Sequence, residues 1–326
     1  MLPALAALAE PVAPQMHVVE VRLQELLPAE ADGLAPAIYQ HVLQAGGKRL
    51  RPLLTLLSCA AAGGDPAAAV AFATSVEVIH LSSLIHDDVI DEARERRGRP
   101  TARERWGNRT SILVGDLLIA EVFRLLSTGF DPHVMGVLAE AVVHMCQSEL
   151  RETGERRWEA AEARYFASIR GKTASLMGAA CHIGALAAAN APAVEPLRDY
   201  GLNLGVAFQV TDDLLDLYGD PARLGKPVGQ DLAGGHHTLP IIAAWQAGSE
   251  GERRALEGLL ERCEAGDPGA AAETVELVAA LDGREYACHR VGELVQQAKA
   301  ALEGLVATPA RESLEHLADY VLQRES

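Results

Sequence analysis

The sequence predicts an all-α protein, a single large helical bundle formed by one domain over residues 1–326. Three observations predict it. Apolar residues make up 49% of the chain but aromatics only 4%, so the apolar stock is mostly Ala, Leu and Val, a helix-favouring mixture. Apolar positions recur at helical spacing almost throughout, and no period-two alternation runs long enough to build a sheet. No linker-like shift in composition divides the chain.

In order, the spacing predicts helices over 18–27, 35–45, 66–86, 110–127, 132–152, 159–189, 195–218, 239–247, 251–265, 270–282 and 283–305. The breaks between them carry turn chemistry, as in Gly63-Gly64-Asp65-Pro66, Asn190 to Pro192 and Gly266 to Gly269.

A net charge of −16 argues against a nucleic-acid partner. An acidic chain can still bind anionic phosphates, provided it gathers local cations or metal ions. Cys59, Cys146, Cys181, Cys263 and Cys288 are scattered and odd in number, with no CxxC pair, so zinc and disulfide frameworks are not expected. Residues 1–16 lack the basic start of a signal peptide. No apolar run looks long enough to cross a bilayer; the nearest, 177–194, holds His182 and Asn190 and is cut by Pro192. A cytoplasmic protein with free thiols is the expectation.

Two acidic triplets interrupt this apolar pattern. His86-Asp87-Asp88-Val89-Ile90-Asp91 places Asp87 and Asp91 one turn apart on a helix face, where like charges repel. Thr211-Asp212-Asp213-Leu214-Leu215-Asp216 repeats the spacing. A solvated acidic face is the plain reading of either alone, but both lie within strongly apolar stretches, 76–90 and 206–218. Magnesium suits such all-oxygen sets, since it keeps waters and substrate phosphates as further ligands. Two sets suggest helices facing each other across a central cleft.

Basic clusters accompany the acids: Gly46-Gly47-Lys48-Arg49-Leu50-Arg51-Pro52, then Arg94, Arg96, Arg97 and Arg99, then Gly171-Lys172-Thr173, then Gly225-Lys226-Pro227. Lys and Arg total 29, yet only Lys48, Lys172, Lys226 and Lys299 are lysine. Three of those four fall in these clusters, beside Gly, Thr or Pro and not on a polar helix face. A lysine is a compact point charge suited to a phosphate oxygen.

The strings GGKRLRP, LIHDDVIDEARERRGRPT, GKTASL, FQVTDDLLDLYGD and LGKPVGQDL, in that order, closely resemble the trans-isoprenyl diphosphate (polyprenyl) synthase family, over roughly residues 40–240. The resemblance implies an isoprenoid-synthase-like fold and a magnesium-dependent prenyltransferase condensing isopentenyl diphosphate with an allylic diphosphate. By the same resemblance, Asp87, Asp88, Asp91, Asp212, Asp213 and Asp216 hold the metal. Gly47, Lys48, Arg51, His80 and Arg97 form the isopentenyl diphosphate pocket. Arg96, Lys172 and Lys226 contact the allylic diphosphate, and Thr173 and Gln209 stand near the developing cation. It also implies a homodimer and a quinone-tail product that could draw the enzyme to a membrane surface. One departure stands out: where the family usually has Gly-Lys-x-Thr-Leu-Pro, this chain reads Gly235-His236-His237-Thr238-Leu239-Pro240, so His236 replaces a fixed cation. A shorter-chain synthase, a non-catalytic partner subunit and a terpene cyclase are the alternatives. Retention of all six aspartates speaks against the subunit, and the Lys48/Arg51 cluster against the cyclase.

Product length is read from the turn before Asp87. Short-chain relatives carry bulky aromatics there, whereas this chain has Ser82 and Ser83. The same face continues through Ile79 and Val76, and Phe72 is the first ring upstream, roughly 16 Å away by helix rise, which predicts about seven to nine isoprene units with octaprenyl favoured.

Overall fold

The computed structural model describes residues 3–27, 33–127, 132–152, 158, 160–220 and 228–323. Helix dominates among them. The first helices are α1 (Pro3–Leu8), α2 (Ala13–Leu26), α3 (Leu34–Gln44), α4 (Leu50–Ala61), α5 (Val70–Ile90), α6 (Ala102–Trp106), α7 (Asn108–Leu126) and α8 (Pro132–Glu152). Then come α9 (Ala161–Ile169), α10 (Ser175–Ala187), α11 (Ala191–Tyr218), α12 (Gln230–Ala233), α13 (Leu239–Ala247), α14 (Glu250–Glu264), α15 (Ala270–Ala280), α16 (Gly283–Ala301) and α17 (Pro309–Gln323). The one sheet among the described residues is an antiparallel ribbon of β1 (Glu95–Arg96) and β2 (Arg99–Pro100). The chain sorts into two compact units. The first holds Met1–Val143, Leu176–Gly201 and Ala301–Leu317; the second holds His144–Ser175, Leu202–Ala300 and Ala318–Ser326.

Helix α5 is the core of the first unit. Every side chain from Val70 to Ile79 is buried, and the helix packs on α2, α4 and α7. Its hydroxyls bond back one turn, Thr74 Oγ1 donating to the Val70 carbonyl (2.8 Å) and Ser75 Oγ to that of Ala71 (2.9 Å), so no polar group is stranded. The segment Pro66–Ile90 is long and apolar enough to cross a bilayer, but most of it is buried inside the protein. It is a core helix, and it corrects the expectation that 177–194 comes nearest to a span.

The spacing also passes over α4 and misplaces a boundary. Helix α4 is buried on nearly every side, and the polar stripe that marks its period, Arg51, Thr55 and Ser58, is short and largely buried too. The single helix expected over 159–189 is two helices, α9 and α10, joined by a π-helical turn at Arg170–Ala174. At that turn a Cβ on Gly171 would lie 2.5 Å from Ser148 Oγ and 2.9 Å from the His144 carbonyl. The turn therefore lies hard against α8, and Ser148 Oγ donates to the Ser168 carbonyl at 2.8 Å.

In the second unit, Leu217, Leu232, Ile241, Ala244, Leu256, Leu260 and Val278 form a core that α11 to α15 share. Helix α14 starts with a capping box: Ser249 N donates to Glu252 Oε2 (2.8 Å) and Glu252 N to Ser249 Oγ (3.4 Å). Against this core Trp158 stacks between His237 (centroids 4.3 Å) and Trp245 (4.8 Å), and Arg253 covers the outer face of Trp245.

Two glycines test the packing with opposite signs. In the first unit, a Cβ on Gly184 of α10 would overlap the Thr55 carbonyl oxygen of α4. Gly184→Ala is expected to destabilise by about 1–3 kcal/mol. Gly258 of α14 faces open space, so Gly258→Ala should stabilise by about 0.5–1 kcal/mol through helix propensity. Chemical denaturation measures both, and equal shifts for the two variants would refute the α4–α10 contact.

Candidate active site

In the first unit the site residues gather at the C-terminal end of α5. Asp87 is half-buried and Asp88 is buried, while Asp91 caps the helix and is exposed. The Asp91 N–H donates to the Asp87 carbonyl (2.8 Å), so the one-turn register expected from sequence holds through the cap. Burial pushes the Asp88 carboxyl above its ordinary range. Arg96 opposes that shift, its Nε donating to Asp88 Oδ1 at 2.7 Å. This guanidinium, expected on the allylic diphosphate, therefore stands on a carboxylate. The 91–101 segment folds back over the helix end: Thr101 Oγ1 donates to the Ala93 carbonyl (2.7 Å), and Arg103 Nη1 donates to the Glu92 carbonyl (2.6 Å). Placing arginines beyond a helix C-terminus also complements its dipole.

His80 lies two turns before Asp87. Burial holds its ring well below the usual imidazole range, and Arg51, Arg97, Arg96 and Arg49 hold it further down, so it is neutral at physiological pH. A Cβ on Gly47 would lie 3.2 Å from Arg49 Nη1 and 3.4 Å from Arg97 Nη1. The Gly46–Arg49 segment and the β1–β2 hairpin thus meet, and four of the residues expected around isopentenyl diphosphate, Gly47, Arg51, His80 and Arg97, are brought together. Arg51 is not on flexible backbone as its motif suggested, because it lies in the first turn of α4.

Ser82 and Ser83 differ in what they face. Ser82 is buried, and its Oγ donates to the Gly115 carbonyl of α7 (2.9 Å). It bonds across the α5–α7 contact, so Ser83 is the less buried of the two serines expected on the tail path. Ser83 is half-buried and bonds within its own helix to the His80 carbonyl (2.9 Å). Ile79 is buried.

In the second unit a chain of hydrogen bonds runs through the second triplet. Thr173 Oγ1 donates to Gln209 Oε1 (2.8 Å), Gln209 Nε2 to Asp213 Oδ1 (2.9 Å), and Tyr165 OH to Asp213 Oδ2 (2.6 Å). Both Asp213 oxygens are thereby fixed. Burial pushes its carboxyl up to about 8, with Asp231 and Asp212 adding repulsion that the Tyr165 and Gln209 bonds only partly offset. Asp216 is buried, and its Oδ2 accepts the Asp231 N–H (2.9 Å). Asp212 is half-buried. Lys172, carried on the π-helical turn, pairs with Glu149 at 2.6 Å. Lys226, with Gly225 and Pro227, lies outside the described residues. His236 is exposed, its N–H donating to the Asp231 carbonyl (2.7 Å).

Sequence reasoning missed Tyr165 and Glu149. Tyr165 stands seven residues, two helical turns, before Lys172, which was a usable signal. Glu149 reaches Lys172 from another helix and left none. Among the described residues no three Asp, Glu, His or Cys side chains converge as a ready-made metal cage. The donors fit a hard divalent cation that keeps water and phosphate oxygens as its remaining ligands. Asp213 in particular is a buried carboxyl that, among the described residues, meets neutral donors and acidic neighbours.

That shift has a definite sign. With the folded carboxyl at about 8 against an ordinary 3.8, stability is fully present below about pH 4 and is lost as pH rises through 8. In the presence of a chelator, the stability advantage of Asp213→Asn over the wild type should grow from about pH 5 to pH 8 and then level off. Thermal melts across that range check it, and a pH-independent difference would rule the shift out.

The family model for polyprenyl synthetase matches residues 34–278. The chain is 39% identical to a short chain isoprenyl diphosphate synthase of Methanothermobacter thermautotrophicus, over 88% of this chain and 89% of that one. Its structure is similar to that of a decaprenyl diphosphate synthase from Rhodobacter capsulatus (TM-score 0.89, 37% identity, 98% of each chain). It is also similar to a polyprenyl synthase from Caulobacter crescentus complexed with calcium and isoprenyl diphosphate (TM-score 0.90, 33% identity, 98% of each chain). With five ordered motifs, an all-helical fold and matches that run nearly end to end, the chain belongs to the polyprenyl synthetase family and is a trans-prenyltransferase.

Proposed function

We propose that the chain is a long-chain all-trans polyprenyl diphosphate synthase that extends an allylic diphosphate with isopentenyl diphosphate, and that magnesium is its metal. The observation that carries the long-chain reading is Ser83. It is a small, half-buried side chain one turn before Asp87, with Ile79 and Val76 beyond it and no phenylalanine, tyrosine or tryptophan in α5 until Phe72. Helix rise gives this face roughly 16 Å, room for several isoprene units beyond the head group, and we take the product to be about seven to nine units long.

The chain's own residues have distinct tasks in this reading. Asp87, Asp88 and Asp91, with Asp212, Asp213 and Asp216, would hold the metal ions. Arg96 keeps Asp88 in place; Tyr165 and Gln209 keep Asp213 in place. When bound, magnesium supplies electrostatic stabilisation of the departing diphosphate. Lys172 and Lys226 add fixed charge for the same leaving group. Lys48, Arg51 and Arg97 grip the diphosphate of isopentenyl diphosphate, and His80, kept neutral, offers a hydrogen bond without a further charge. The allylic C–O bond breaks with its electron pair leaving on diphosphate. The isopentenyl double bond then attacks the allylic carbon, and a proton passes from the new cation to the departed diphosphate to restore a double bond. Thr173 and Gln209, bonded to each other, set oxygen dipoles near the developing charge.

We also take the enzyme to be a homodimer. Ile112, Leu113 and Phe123 of α7 are 43%, 58% and 54% exposed, an unusual apolar display that a second copy would cover. Light scattering should return twice the mass of the chain, and a stable monomer would dismiss the pairing.

Chelation of divalent cations should abolish turnover, and Asp87→Ala or Asp213→Ala should lower it by orders of magnitude with helix content unchanged. Near-normal activity in either variant would remove that triplet from the metal site. Product analysis by reversed-phase chromatography tests the tail path. Ser83→Phe should shorten the product toward fifteen or twenty carbons while sparing the first condensation. A wild-type product that already stops there would defeat the long-chain reading.

A further inference from the structure

We propose that Arg49, clamped between Glu20 and Glu77, is a positioning residue that sets the shape of the isopentenyl diphosphate loop, and that helix α2 takes part in substrate binding through Glu20. The proposal rests on the prenyl-transfer reading above and adds residues to it.

In sequence Arg49 looks like one more phosphate-binding cation between Lys48 and Arg51. The structure gives it other work. Its side chain is 8% exposed. Nε donates to Glu20 Oε1 at 2.7 Å, and Nη1 donates to Glu77 Oε1 at 2.8 Å. Burial alone would lower its pKa, but Glu77 and Glu20 more than reverse that, so the charge stays on the guanidinium. An arginine held this way is already answered by carboxylates and is a poor ligand for a diphosphate.

Its backbone is as telling as its side chain. Arg49 has φ 52°, in the left-handed region that a residue with a Cβ enters at a cost of order 1–3 kcal/mol. Such a conformation persists only where the surroundings impose it, and here the two ion pairs do so. The turn at Arg49 separates Lys48 from the first helical turn that carries Arg51, so its geometry decides where both cations stand. The Arg49 guanidinium also lies directly under Gly47, on the side from which Arg97 approaches.

Glu77 links this turn to the rest of the pocket. It is 3% exposed and sits on α5 one turn before His80. Its charge also acts on Arg97, opposing the effect of neighbouring arginines there. Four arginines surround His80, and in the absence of ligand the buried carboxylate of Glu77 limits their mutual repulsion. Glu20 belongs to α2 and lies outside the region that the family model matches, residues 34–278.

A tie that served stability alone would make a different prediction, and one variant separates the two. Replacing a buried ion pair with apolar residues of similar size often leaves a protein as stable or more so. Arg49→Met/Glu77→Met should therefore stay folded yet lose the directional hold on the loop. Calorimetric titration with isopentenyl diphosphate should show affinity down by about tenfold to a hundredfold, the range seen when supporting partners of ligands are removed. The Michaelis constant for the allylic diphosphate should move by less than about twofold. Arg49→Lys and Glu20→Gln leave no buried carboxylate without a cation nearby, so they decide the matter should the double variant unfold. Each should weaken isopentenyl diphosphate by about threefold to tenfold. Wild-type affinity in the folded variants, or equal losses for both substrates, would overturn the positioning role while leaving the enzyme reading intact. A wild-type chain that binds no isopentenyl diphosphate would overturn both.

Discussion

A carboxylate buried in an apolar helix has to be answered by a donor or a cation, and the local architecture of this chain follows from how each one is answered. Asp88 is met by Arg96, which pulls the 91–101 segment back over the end of α5. Glu77 is met by Arg49, which bends the chain ahead of α4 into a strained turn. Asp213 is met by Tyr165 and Gln209, and Gln209 in turn engages Thr173 on the π-helical turn. Asp216 takes the Asp231 N–H, which fixes the start of α12. The acids therefore organise the backbone around them as well as offering oxygen atoms for chemistry.

These answers differ in strength, and the difference has chemical meaning. Glu77 and Asp88 have full cationic partners. Among the described residues Asp213 has neutral donors and two acidic neighbours, and burial first, then that repulsion, pushes its carboxyl up to about 8. A site that binds a cation is best left with unsatisfied negative potential where the cation is to sit. The neutral donors on Asp213 orient it without cancelling that potential. His80 follows the same logic with the sign reversed: burial first, and then the arginines around it, keep it uncharged, so the surrounding charge remains available to an anion.

Much of this was legible in the sequence because the triplets and basic motifs are local. Asp87 and Asp91 are one turn apart in any helix, and Gly47, Lys48 and Arg51 lie within five residues. What escaped depended on contacts between distant segments. No spacing rule links Glu20 to Arg49 or Glu149 to Lys172. Helix α4 was missed because its short polar stripe of Arg51, Thr55 and Ser58 begins inside the basic motif, and the π-helical turn because Gly171 looked like one small residue inside a long helical pattern. Helix α17, by contrast, carries Leu314, Leu317, Ala318 and Val321 at plain helical spacing and was simply passed over. Ser82 was placed on the tail path by adjacency alone; neighbouring residues on a helix point about 100° apart, and its hydroxyl bonds across the contact with α7.

The stack of His237, Trp158, Trp245 and Arg253 has an optical consequence. The chain contains only three tryptophans, and two of them lie face to face with their rings 4° from parallel. Two of the three indoles therefore share one place, beside the Gly235–Pro240 segment in which His236 stands at the lysine position of the family pattern. The imidazole of His237 stacks on one of these indoles, so a displacement of the segment acts directly on a tryptophan ring. A segment that departs from the family's motif pattern thus lies beside its own fluorophore in the unlabelled protein.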